Sequence, residues 1–516
     1  MLSTGNTLDG KLFIWNMKNG HIVSSLLLVP QVFAEGPRCA AWGGMVKDIK
    51  LRPTSNYQFA MSGAKKLTLW QLVPETGQLM TEVVNTGTLV RDYICMTFSL
   101  NAEDYLFAGT SSGDVCGFHV KTKMLVFTIN LCALGVRTIR ALNQTSLICA
   151  GGDGNVFSLN TNGKATAVAN KAQFYGAIHG LSASPDGLQS LVATDKGYMY
   201  RLRNSDFSQM LLCESNTAPV SSCWFMPGVS DKFITTSDDG TIRLWDSNNY
   251  TVTARCTAQS HHAAQGVGGV APLCAVHTDE VIISGWTDGK IRAYRVDNSS
   301  LLWQIDNAHK GGVTSICLAS NCKFVCSGGM EGEVRVWEVR SRELVSHLKE
   351  HTSRVTKIML FPDDQFLLTC ARDRAILCWD LKAEKRVSAQ TQRMGGINDF
   401  AIAPLDNNKF LSVGQERKIT YWDLRKANAE TVLESSPYKG ETDELNSVSI
   451  SNSNKYFAVG GTNGVLRIFE FSSGKFITDC KAHSGAITCV SFSADDRQIV
   501  STGRDGLIAI WNVYLD

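Results

Sequence analysis

The sequence lacks the features that would mark a membrane, secreted or strongly charged protein. No apolar run approaches the length of a bilayer span, and the N-terminus does not place basic residues before an apolar stretch, as a secretory signal does. The 516 residues carry a formal net charge of only +2, so bulk electrostatics predict no binding to nucleic acid or to a membrane. With 44% hydrophobic residues, the chain is instead typical of a globular cytosolic protein with a sizeable core.

The sequence also lacks a cysteine framework. Its sixteen cysteines are scattered, and no pair of CxxC motifs occurs that would suggest a zinc site. Several cysteines lie on strand-like stretches, for example Cys317, Cys370, Cys378 and Cys489. We therefore interpret them as reduced, buried, small apolar residues and not as disulfides or metal ligands.

Motifs that bind phosphate, bind metal or carry out catalysis are absent as well. The glycine-rich residues 151–154 and 266–269 lack the Lys-Ser/Thr of a Walker motif and do not open a helix. His261 and His262 have no acidic or Cys partner at ligand spacing. Residues 238–239 are typical of a turn and not of a calcium loop. We therefore predict no metal, no cofactor, no small-molecule substrate and no enzymatic activity.

A short pattern recurs twelve times along the chain. Each copy has a tight-turn signal, often Asp-Gly, and then a strand that alternates apolar and polar residues, as Ile242 and Leu244 do around Arg243. The aligned turn residues are Gly10, Lys65, Gly113, Gly154, Gly197, Gly240, Gly289, Gly332, Arg374, Arg417, Gly464 and Gly506. The large residues that end the strands are Trp15, Trp70, Phe118, Leu159, Leu202, Trp245, Tyr294, Trp337, Trp379, Trp422, Phe469 and Trp511.

The spacing of these copies indicates a repeat fold. Most successive turn residues are between 41 and 49 positions apart, close to the 40–45 residues of a four-stranded WD40 propeller blade. A second turn signal precedes many copies, for example at residues 184–187, 361–364 and 493–496, and no long helical pattern competes. The sequence therefore predicts an all-β fold of tandem WD40 β-propellers with twelve recognisable repeats.

The repeat count also predicts two domains. Twelve repeats exceed the four to eight blades of one closed ring, so we expect a first propeller at residues 1–206, with five repeats, and a seven-bladed second propeller at residues 207–516. As in WD40 rings, residues 208–213 would supply the outer strand that completes the last blade. The first copy resembles a blade entered partway. We therefore expect either a natural start upstream of Met1 or a first ring open at residues 1–16 and completed by a neighbour.

Three copies carry a fuller set of polar residues at the same spacing. The three sets are His309, Ser327, Glu331 and Trp337; His351, Thr369, Asp373 and Trp379; and His483, Ser501, Asp505 and Trp511. In WD40 proteins such sets form a hydrogen-bonded tetrad that fixes the blade, so the resemblance implies a structural role. A Ser-His-Asp hydrolase triad uses the same residue types. A nucleophile has no reason to recur at the blade period, however, and no Gly-x-Ser-x-Gly elbow occurs.

Longer stretches resemble one family of cilia- and flagella-associated WD40 proteins. The resemblance covers essentially the whole chain and is clearest in residues 283–298, 307–339, 349–358, 414–424 and 482–513. It implies two seven-bladed propellers, whose third to fourteenth repeats would be the twelve found here. It further implies a non-enzymatic microtubule inner protein on the luminal wall of the doublet B-tubule, near the inner junction. Such a protein would contact tubulin and neighbouring inner proteins in the axoneme, and would be cytoplasmic before assembly.

Two other interpretations remain open at this point. The first is a different cytoplasmic tandem-propeller scaffold of the cytoskeleton, either actin-interacting or microtubule-associated. The second is an enzyme with its site in a propeller channel, which would need convergent His, Arg or carboxylate groups near the axis. Residues 27–48, 257–272 and 425–446 are predicted insertions, and loops on a rigid scaffold are candidate contact surfaces.

Overall fold

A computed structural model describes residues 1–4, 10–29, 31–47, 52–63, 65–100, 105–143, 145–161, 166–258, 269–438 and 443–514. All regular elements in these ranges are β-strands, in twelve antiparallel sheets. The predicted all-β fold is therefore confirmed. A search of the same ranges finds no helix that could span a membrane. Contacts divide the chain into two compact units, Met1–Glu214 and Ser215–Asp516.

The first unit has five sheets. One sheet of three strands holds β1 (Leu2–Thr4), β2 (Lys11–Trp15) and β3 (Ile22–Leu27). The four-stranded sheets are β4 (Cys39–Lys47), β5 (Pro53–Gly63), β6 (Lys66–Val73) and β7 (Gln78–Val83); β8 (Tyr93–Phe98), β9 (Tyr105–Thr110), β10 (Asp114–His119) and β11 (Met124–Asn130); β12 (Val136–Ala141), β13 (Ser146–Gly151), β14 (Asn155–Thr161) and β15 (Thr166–Gln173); and β16 (Ile178–Ala183), β17 (Gln189–Thr194), β18 (Tyr198–Arg203) and β19 (Gln209–Glu214).

The second unit has seven sheets in its described residues. Its first three are β20 (Val220–Phe225), β21 (Lys232–Ser237), β22 (Thr241–Asp246) and β23 (Thr251–Thr257); β24 (Pro272–His277), β25 (Val281–Trp286), β26 (Ile291–Arg295) and β27 (Leu301–Ile305); and β28 (Val313–Leu318), β29 (Phe324–Gly329), β30 (Val334–Glu338) and β31 (Leu344–Leu348). The next three are β32 (Val355–Leu360), β33 (Phe366–Ala371), β34 (Ala375–Asp380) and β35 (Lys385–Thr391); β36 (Ile397–Ala403), β37 (Asp406–Gly414), β38 (Lys418–Asp423) and β39 (Thr431–Glu434); and β40 (Leu445–Ile450), β41 (Tyr456–Gly461), β42 (Val465–Glu470) and β43 (Phe476–Lys481). The seventh has three described strands, β44 (Ile487–Phe492), β45 (Gln498–Gly503) and β46 (Ile508–Asn512).

The turn residues explain why the twelve copies align. All twelve adopt a positive φ, from 52° at Gly10 to 92° at Gly113, and each lies in the turn between two antiparallel strands of one sheet. Glycine reaches this conformation without a steric penalty. Lys65, Arg374 and Arg417 adopt it at a small cost, which the pairing of the flanking strands offsets. The Asp-Gly signal of the sequence is therefore a conformational requirement of the hairpin.

The core lies between neighbouring sheets. In one cluster, Val334 on β30 packs with Val355 on β32 and Trp379 on β34, so two consecutive sheets share one apolar layer. The cysteines contribute to these layers. All sixteen are free and ten are buried, which agrees with their interpretation as small apolar residues. The exceptions include Cys213 and Cys322, which are exposed.

The second unit closes into a ring through its first strands. Each first strand neighbours the first strand of the next sheet, and β44 neighbours β20. A side chain on each of these strands donates a hydrogen bond to a carbonyl oxygen of the next. The pairs are Ser221 Oγ to Pro272 O (3.0 Å), Cys274 Sγ to Val313 O (3.6 Å), Thr314 Oγ1 to Val355 O (2.5 Å), Thr356 Oγ1 to Ile397 O (3.0 Å), Asn398 Nδ2 to Leu445 O (2.8 Å), Asn446 Nδ2 to Ile487 O (2.8 Å) and Thr488 Oγ1 to Val220 O (2.5 Å).

The strand predicted to complete the last blade lies elsewhere. Residues 208–213 were expected beside the strand that ends at Trp511, but β19 pairs with β18, from Leu202 opposite Gln209 to Tyr198 opposite Glu214. Only a short turn separates β18 from β19, and a local hairpin costs far less loop-closure entropy than a distant pairing. The contacts accordingly divide the chain after Glu214, and not at the predicted boundary after residue 206.

The predicted insertions are also shorter than expected. Residues 39–47 of the first form β4, so the long spacing there reflects long strands, and β39 lies inside the third. Residues 259–268 and 439–442, within the second and third insertions, lie outside the described residues.

The hydrogen bond at the ring closure predicts a specific loss of stability. Thr488→Val keeps the shape of the side chain but leaves Val220 O without the Thr488 hydroxyl, so the free energy of unfolding of the second unit should fall by about 1–2 kcal/mol. Thr356→Val, at the same place between two other sheets, should cost a similar amount. Denaturant unfolding measures both. Thr251→Val, at an exposed position, is the control, and a neutral Thr488→Val would contradict the closure.

Candidate functional site

The three predicted polar sets assemble in the second unit, and all twelve residues take part. Each histidine precedes the first strand of its sheet, each hydroxyl residue lies on the second strand, each acid lies in the next turn, and each tryptophan lies on the third strand. In the set of His309, Nδ1 lies 2.7 Å from Glu331 Oε1 and Nε2 lies 2.8 Å from Ser327 Oγ. The indole Nε1 of Trp337 donates to the same hydroxyl over 2.9 Å.

The other two sets repeat this geometry closely. His351 lies 3.0 Å from Asp373 Oδ2 and 2.9 Å from Thr369 Oγ1, to which Trp379 donates over 2.9 Å. The corresponding bonds of the third set join His483 to Asp505 (3.2 Å) and to Ser501 (2.9 Å), and Trp511 to Ser501 (2.9 Å). The repetition within a few tenths of an ångström indicates a shared structural device.

The partners assign the proton positions in each set. The carboxylate can only accept, so the Nδ1 of the histidine carries the proton, and its Nε2 accepts from the hydroxyl. The hydroxyl in turn accepts the indole N–H. Each of these donors therefore has an acceptor when the histidine is neutral. The hydroxyls of Ser327 and Thr369 also lie 3.4 Å and 3.2 Å from the carbonyl oxygens of Arg335 and Leu377. Burial lowers the pKa of His309, an effect that the hydrogen bond with Glu331 only partly offsets, which agrees with the neutral form.

The carboxylates also tie two loops together. Asp505 accepts hydrogen bonds from the backbone N–H of Ser484, before β44, and of Leu507, after the turn (2.8 and 3.1 Å). Burial alone would raise the pKa of Asp505, but the hydrogen bonds from His483, Leu507 and Ser484 together outweigh it and the pKa is lowered. Asp373 has a lowered pKa for the same reasons, with His351 as its partner. The ionised acid therefore holds the start of the sheet to its hairpin turn.

The geometry of these sets argues against a hydrolase triad at the three sites. The connectivity of acid, imidazole and hydroxyl is that of a triad. The hydroxyls of Ser327, Thr369 and Ser501 are fully buried, and each already accepts an indole N–H. A substrate carbonyl has no access to them.

Two further sheets contain a reduced form of the set. Trp245 Nε1 donates to Thr235 Oγ1 and Trp422 Nε1 donates to Ser412 Oγ, both over 2.8 Å. These pairs of tryptophan and hydroxyl join the second and third strands without a histidine. The hydrogen bond from the tryptophan to the hydroxyl therefore occurs in more sheets than the hydrogen bonds of the histidine.

A second buried feature, an arginine in the middle of the third strand, was not predicted from the sequence. The alternating pattern makes Arg243 the polar residue of its strand, yet its side chain is 1% exposed and pairs with Asp239 over 3.2 Å. Arg292 pairs with Asp288 (2.6 Å), and Arg467 lies 3.7 Å from Asp443. The sequence does contain a signal for these pairs. Several copies have an arginine at the same strand position and an acidic residue upstream of it. A strand between two sheets has no solvent face, which explains the burial.

Polar groups also meet on the first strands of the second unit, where an enzyme in the propeller channel would need them. Lys357 Nζ lies 3.2 Å from Asp399 Oδ1, and Asp399 Oδ2 accepts from Ser447 Oγ (2.7 Å) and from the N–H of Val448 (3.0 Å). Burial alone would lower the pKa of Lys357, but the interactions with Asp399, Cys489 and Cys370 together outweigh it and the pKa is raised. Both oxygens of the Asp399 carboxylate are thus in contact with protein groups.

The remaining predicted motifs carry no assembled site. A search of the described residues finds no group of three or more His, Cys, Asp or Glu side chains placed to hold a metal ion. His261 and His262 lie outside those residues. The glycine-rich residues 151–154 form the turn between β13 and β14, as expected for a blade turn.

The burial of the tryptophans predicts unequal costs of truncation. Trp379 is 2% exposed, so Trp379→Ala should lower the free energy of unfolding of the second unit by about 3–5 kcal/mol. Trp511 lies on β46 and is only partly buried, so Trp511→Ala should cost less. Denaturant unfolding of the two variants measures the difference. Equal losses in the free energy of unfolding would contradict the prediction, because they would mean that both indoles are equally buried.

The lowered pKa of His309 predicts a pH dependence of stability. The unfolded chain takes up a proton near the ordinary value of 6.5, whereas folded His309 does so only at lower pH. The stability linked to His309 is therefore present above about pH 6.5 and is lost as the pH falls below it. His309→Gln should be destabilised at pH 8, and its deficit relative to the wild type should narrow towards pH 5. His179→Gln, at an exposed position of the first unit, is the control, and a constant deficit would contradict the linkage.

Comparison with known proteins agrees with the repeats. The family model of the WD domain, G-beta repeat, matches residues 208–246, 433–470 and 474–512. The model of the anaphase-promoting complex subunit 4 WD40 domain matches residues 273–363. Each matched segment lies largely in the second unit, where the polar sets are most complete.

Individual proteins are similar over nearly the whole chain. Cilia- and flagella-associated protein 52 of Homo sapiens is 27% identical over 519 residues, which are 99% of this chain and 79% of that protein. The proteins of the same name from Sus scrofa and Chlamydomonas reinhardtii are each 26% identical, again over 99% of this chain and 79% of their own length. The similarity across these species supports a ciliary or flagellar location. The chain thus has the all-β fold of tandem WD40 β-propellers, matches WD40 models over parts of its second unit, and is similar along almost its entire length to cilia- and flagella-associated protein 52.

Proposed function

We propose that this chain is a structural scaffold of the ciliary or flagellar axoneme, a microtubule inner protein on the luminal wall of the doublet B-tubule near the inner junction. There it would contact tubulin and neighbouring inner proteins and stabilise the doublet. The observation that carries the proposal is the similarity to cilia- and flagella-associated protein 52 over 99% of the chain, in species from an alga to a mammal.

The internal chemistry supports a mechanical role. The His309, His351 and His483 sets and the Lys357–Asp399 pair use their polar groups on one another. Such satisfied, buried networks rigidify a fold and specify one arrangement of its elements. A scaffold that must keep its shape inside a polymer benefits from such rigidity. WD40 domains also imply protein–protein interaction.

A basic rim on the second unit supports contact with an acidic partner. Arg354, Arg372, Arg374 and Arg393 are exposed and lie in the loops that border the sheets of β32–β35 and β36–β39. Arg372 lies 3.8 Å from Glu444, the one ion pair found for these four in the described residues. We infer that this rim faces an acidic surface such as that of tubulin, because complementary charge steers and orients association. Because the net charge of the whole chain is close to zero, this local cluster of positive charge stands out from the rest of the protein.

Retention in axonemes tests the proposed location. The tagged chain, expressed in ciliated cells that lack their own copy, should stay in the axoneme after a high-salt wash and should appear as density inside the B-tubule of the intact doublet. Axonemes isolated from the same cells without the transgene are the control for the density. Loss of the chain in the salt wash, together with co-sedimentation with actin filaments, would favour the cytoplasmic scaffold instead.

A charge variant separates the rim from the fold. Arg374→Ser with Arg393→Ser should reduce incorporation several-fold, because it removes two of the four exposed charges. Lys382→Ser with Lys385→Ser removes the same charge at the far end of β34 and should incorporate normally. Equal incorporation of both variants would exclude the basic rim as the contact.

A further inference from the structure

Two cysteines meet where the last sheet of the second unit joins the first. Cys489 lies on β44 and Cys223 lies on β20, the two neighbouring first strands that close the ring. Both are free thiols, and both belong to one apolar cluster together with Phe233 and Val500. The two cysteines are 266 positions apart in sequence. Only the closure of the ring therefore brings them together.

The two thiols reach across this junction in opposite directions. Cys489 Sγ donates to the backbone oxygen of Cys223, on the first sheet, over 3.2 Å. Cys223 Sγ lies 3.8 Å from the backbone oxygen of Val500, on β45 of the last sheet. Each side chain thus points towards the sheet of the other. A disulfide requires two cysteine side chains that converge in this way.

A line of polar side chains on successive first strands leads to Cys489. Lys357 Nζ on β32 lies 3.2 Å from Asp399 Oδ1 on β36. The other oxygen of Asp399 accepts the hydroxyl of Ser447, on β40, over 2.7 Å. Ser447 Oγ in turn lies 3.9 Å from Cys489 Sγ. Four consecutive sheets therefore each place one polar group on the same path.

The lysine gives this path a positive charge and contact with solvent. The side chain of Lys357 is 32% exposed, so solvent reaches the path at that point. Hydrogen bonding with Cys223 and the charge of Lys357 lower the pKa of Cys489, and together they outweigh burial and the charge of Asp399. The thiolate is the form of cysteine that attacks an oxidant. Cys489 is therefore the attacking thiol, and Cys223 is the second thiol of the pair.

We propose that Cys489 and Cys223 form a redox site, at which a hydroperoxide oxidises the two thiols to a disulfide that joins the last sheet of the second unit to the first. The Cys489 thiolate attacks one peroxide oxygen and the O–O bond breaks, which leaves a sulfenic acid on Cys489. Hydrogen peroxide thereby releases hydroxide, which takes up the proton that Cys489 had lost. The Cys223 thiol then displaces the sulfenic hydroxyl as water. The two sulfurs lose two electrons, and the peroxide gains them.

The disulfide would make a reversible closure covalent. In the reduced chain the junction is held by the hydrogen bond from Thr488 to Val220 and by apolar packing. A cross-link between positions so distant in sequence restricts the unfolded chain, so the oxidised ring should resist unfolding more than the reduced ring. A thiol reductant regenerates both cysteines by exchange. The site depends only on the closure of the second unit and requires no axonemal location, so it goes beyond the scaffold role.

Another cysteine pair of the second unit provides an internal control. Cys317 on β28 and Cys326 on β29 lie directly opposite each other in one sheet. Burial, and then the neighbouring Cys326, raise the pKa of Cys317. This pair therefore has two adjacent sulfurs without an activated thiolate. We expect it to stay reduced at a peroxide concentration that oxidises Cys489 and Cys223.

Peptide mapping of the full wild-type chain tests the site without depending on the folding of any variant. The reduced chain is treated with equimolar hydrogen peroxide, the remaining thiols are alkylated, and the unreduced tryptic digest is analysed by mass spectrometry. We expect a cross-link between Cys489 and Cys223 that dithiothreitol reverses, whereas Cys317 and Cys326 are alkylated. Fragment ions distinguish Cys223 from Cys213, which lies in the same tryptic peptide. The oxidised chain should also unfold at a temperature several degrees higher.

Variants test the order of the two steps. In Cys223→Ser the cross-link cannot form, so dimedone should trap the sulfenic acid on Cys489. In Lys357→Met the cross-link should form several-fold more slowly, because the charge that favours the thiolate is gone. Lys382→Met, at an exposed position, is the matched control and should react at the wild-type rate.

Four results would overturn the proposal. The first is alkylation of both Cys489 and Cys223 after peroxide treatment, and the second is equal oxidation of Cys317 and Cys326. The third is an unfolding temperature that the cross-link leaves unchanged. The fourth is equal rates of oxidation in the two lysine variants, which would contradict the path from Lys357 to Cys489.

Discussion

The structure depends on the contact between the first strand of one sheet and the first strand of the next. A single four-stranded sheet has two apolar faces and cannot bury both alone, so each sheet is stable only between neighbours. In the second unit a side-chain hydrogen bond accompanies every such contact, including the one from Thr488 to Val220 that joins the last sheet to the first. Because that bond closes the circle, no sheet there has an uncovered inner end.

Polar residues buried between the sheets follow from this arrangement. A third strand that lies between two neighbours has no solvent side, so its polar positions must find partners inside the protein. Arg243 pairs with an acid of its own turn, and Trp379 donates its indole N–H to Thr369. Removing one partner of such a pair leaves an unsatisfied buried group, which costs more than the pair itself contributes. These networks therefore specify the blade more than they stabilise it.

The same internal hydrogen bonding distinguishes these structural sets from a catalytic site. His351, Thr369 and Asp373 have the connectivity of a hydrolase triad, but their polar groups bond to one another and to the indole of Trp379. On the outside of the second unit, Arg354, Arg372, Arg374 and Arg393 are exposed. A scaffold with a rigid interior and a few distinctive surfaces is consistent with the similarity to a cilia- and flagella-associated protein.

The features that arise within one repeat could be predicted from its residues alone. The positive φ of Gly240 or Arg374 is a demand of the hairpin turn, and the spacing of His483, Ser501, Asp505 and Trp511 is set by strand lengths, so both are visible in one dimension. The pairing of the strands and the burial of individual side chains could be read only from the folded structure. The segment 208–213 has the composition of an outer strand for either sheet, and the short turn after β18 decided its place. The burial of Arg243 depends on the neighbouring sheets that cover it, and the local pattern of its own strand does not contain those neighbours.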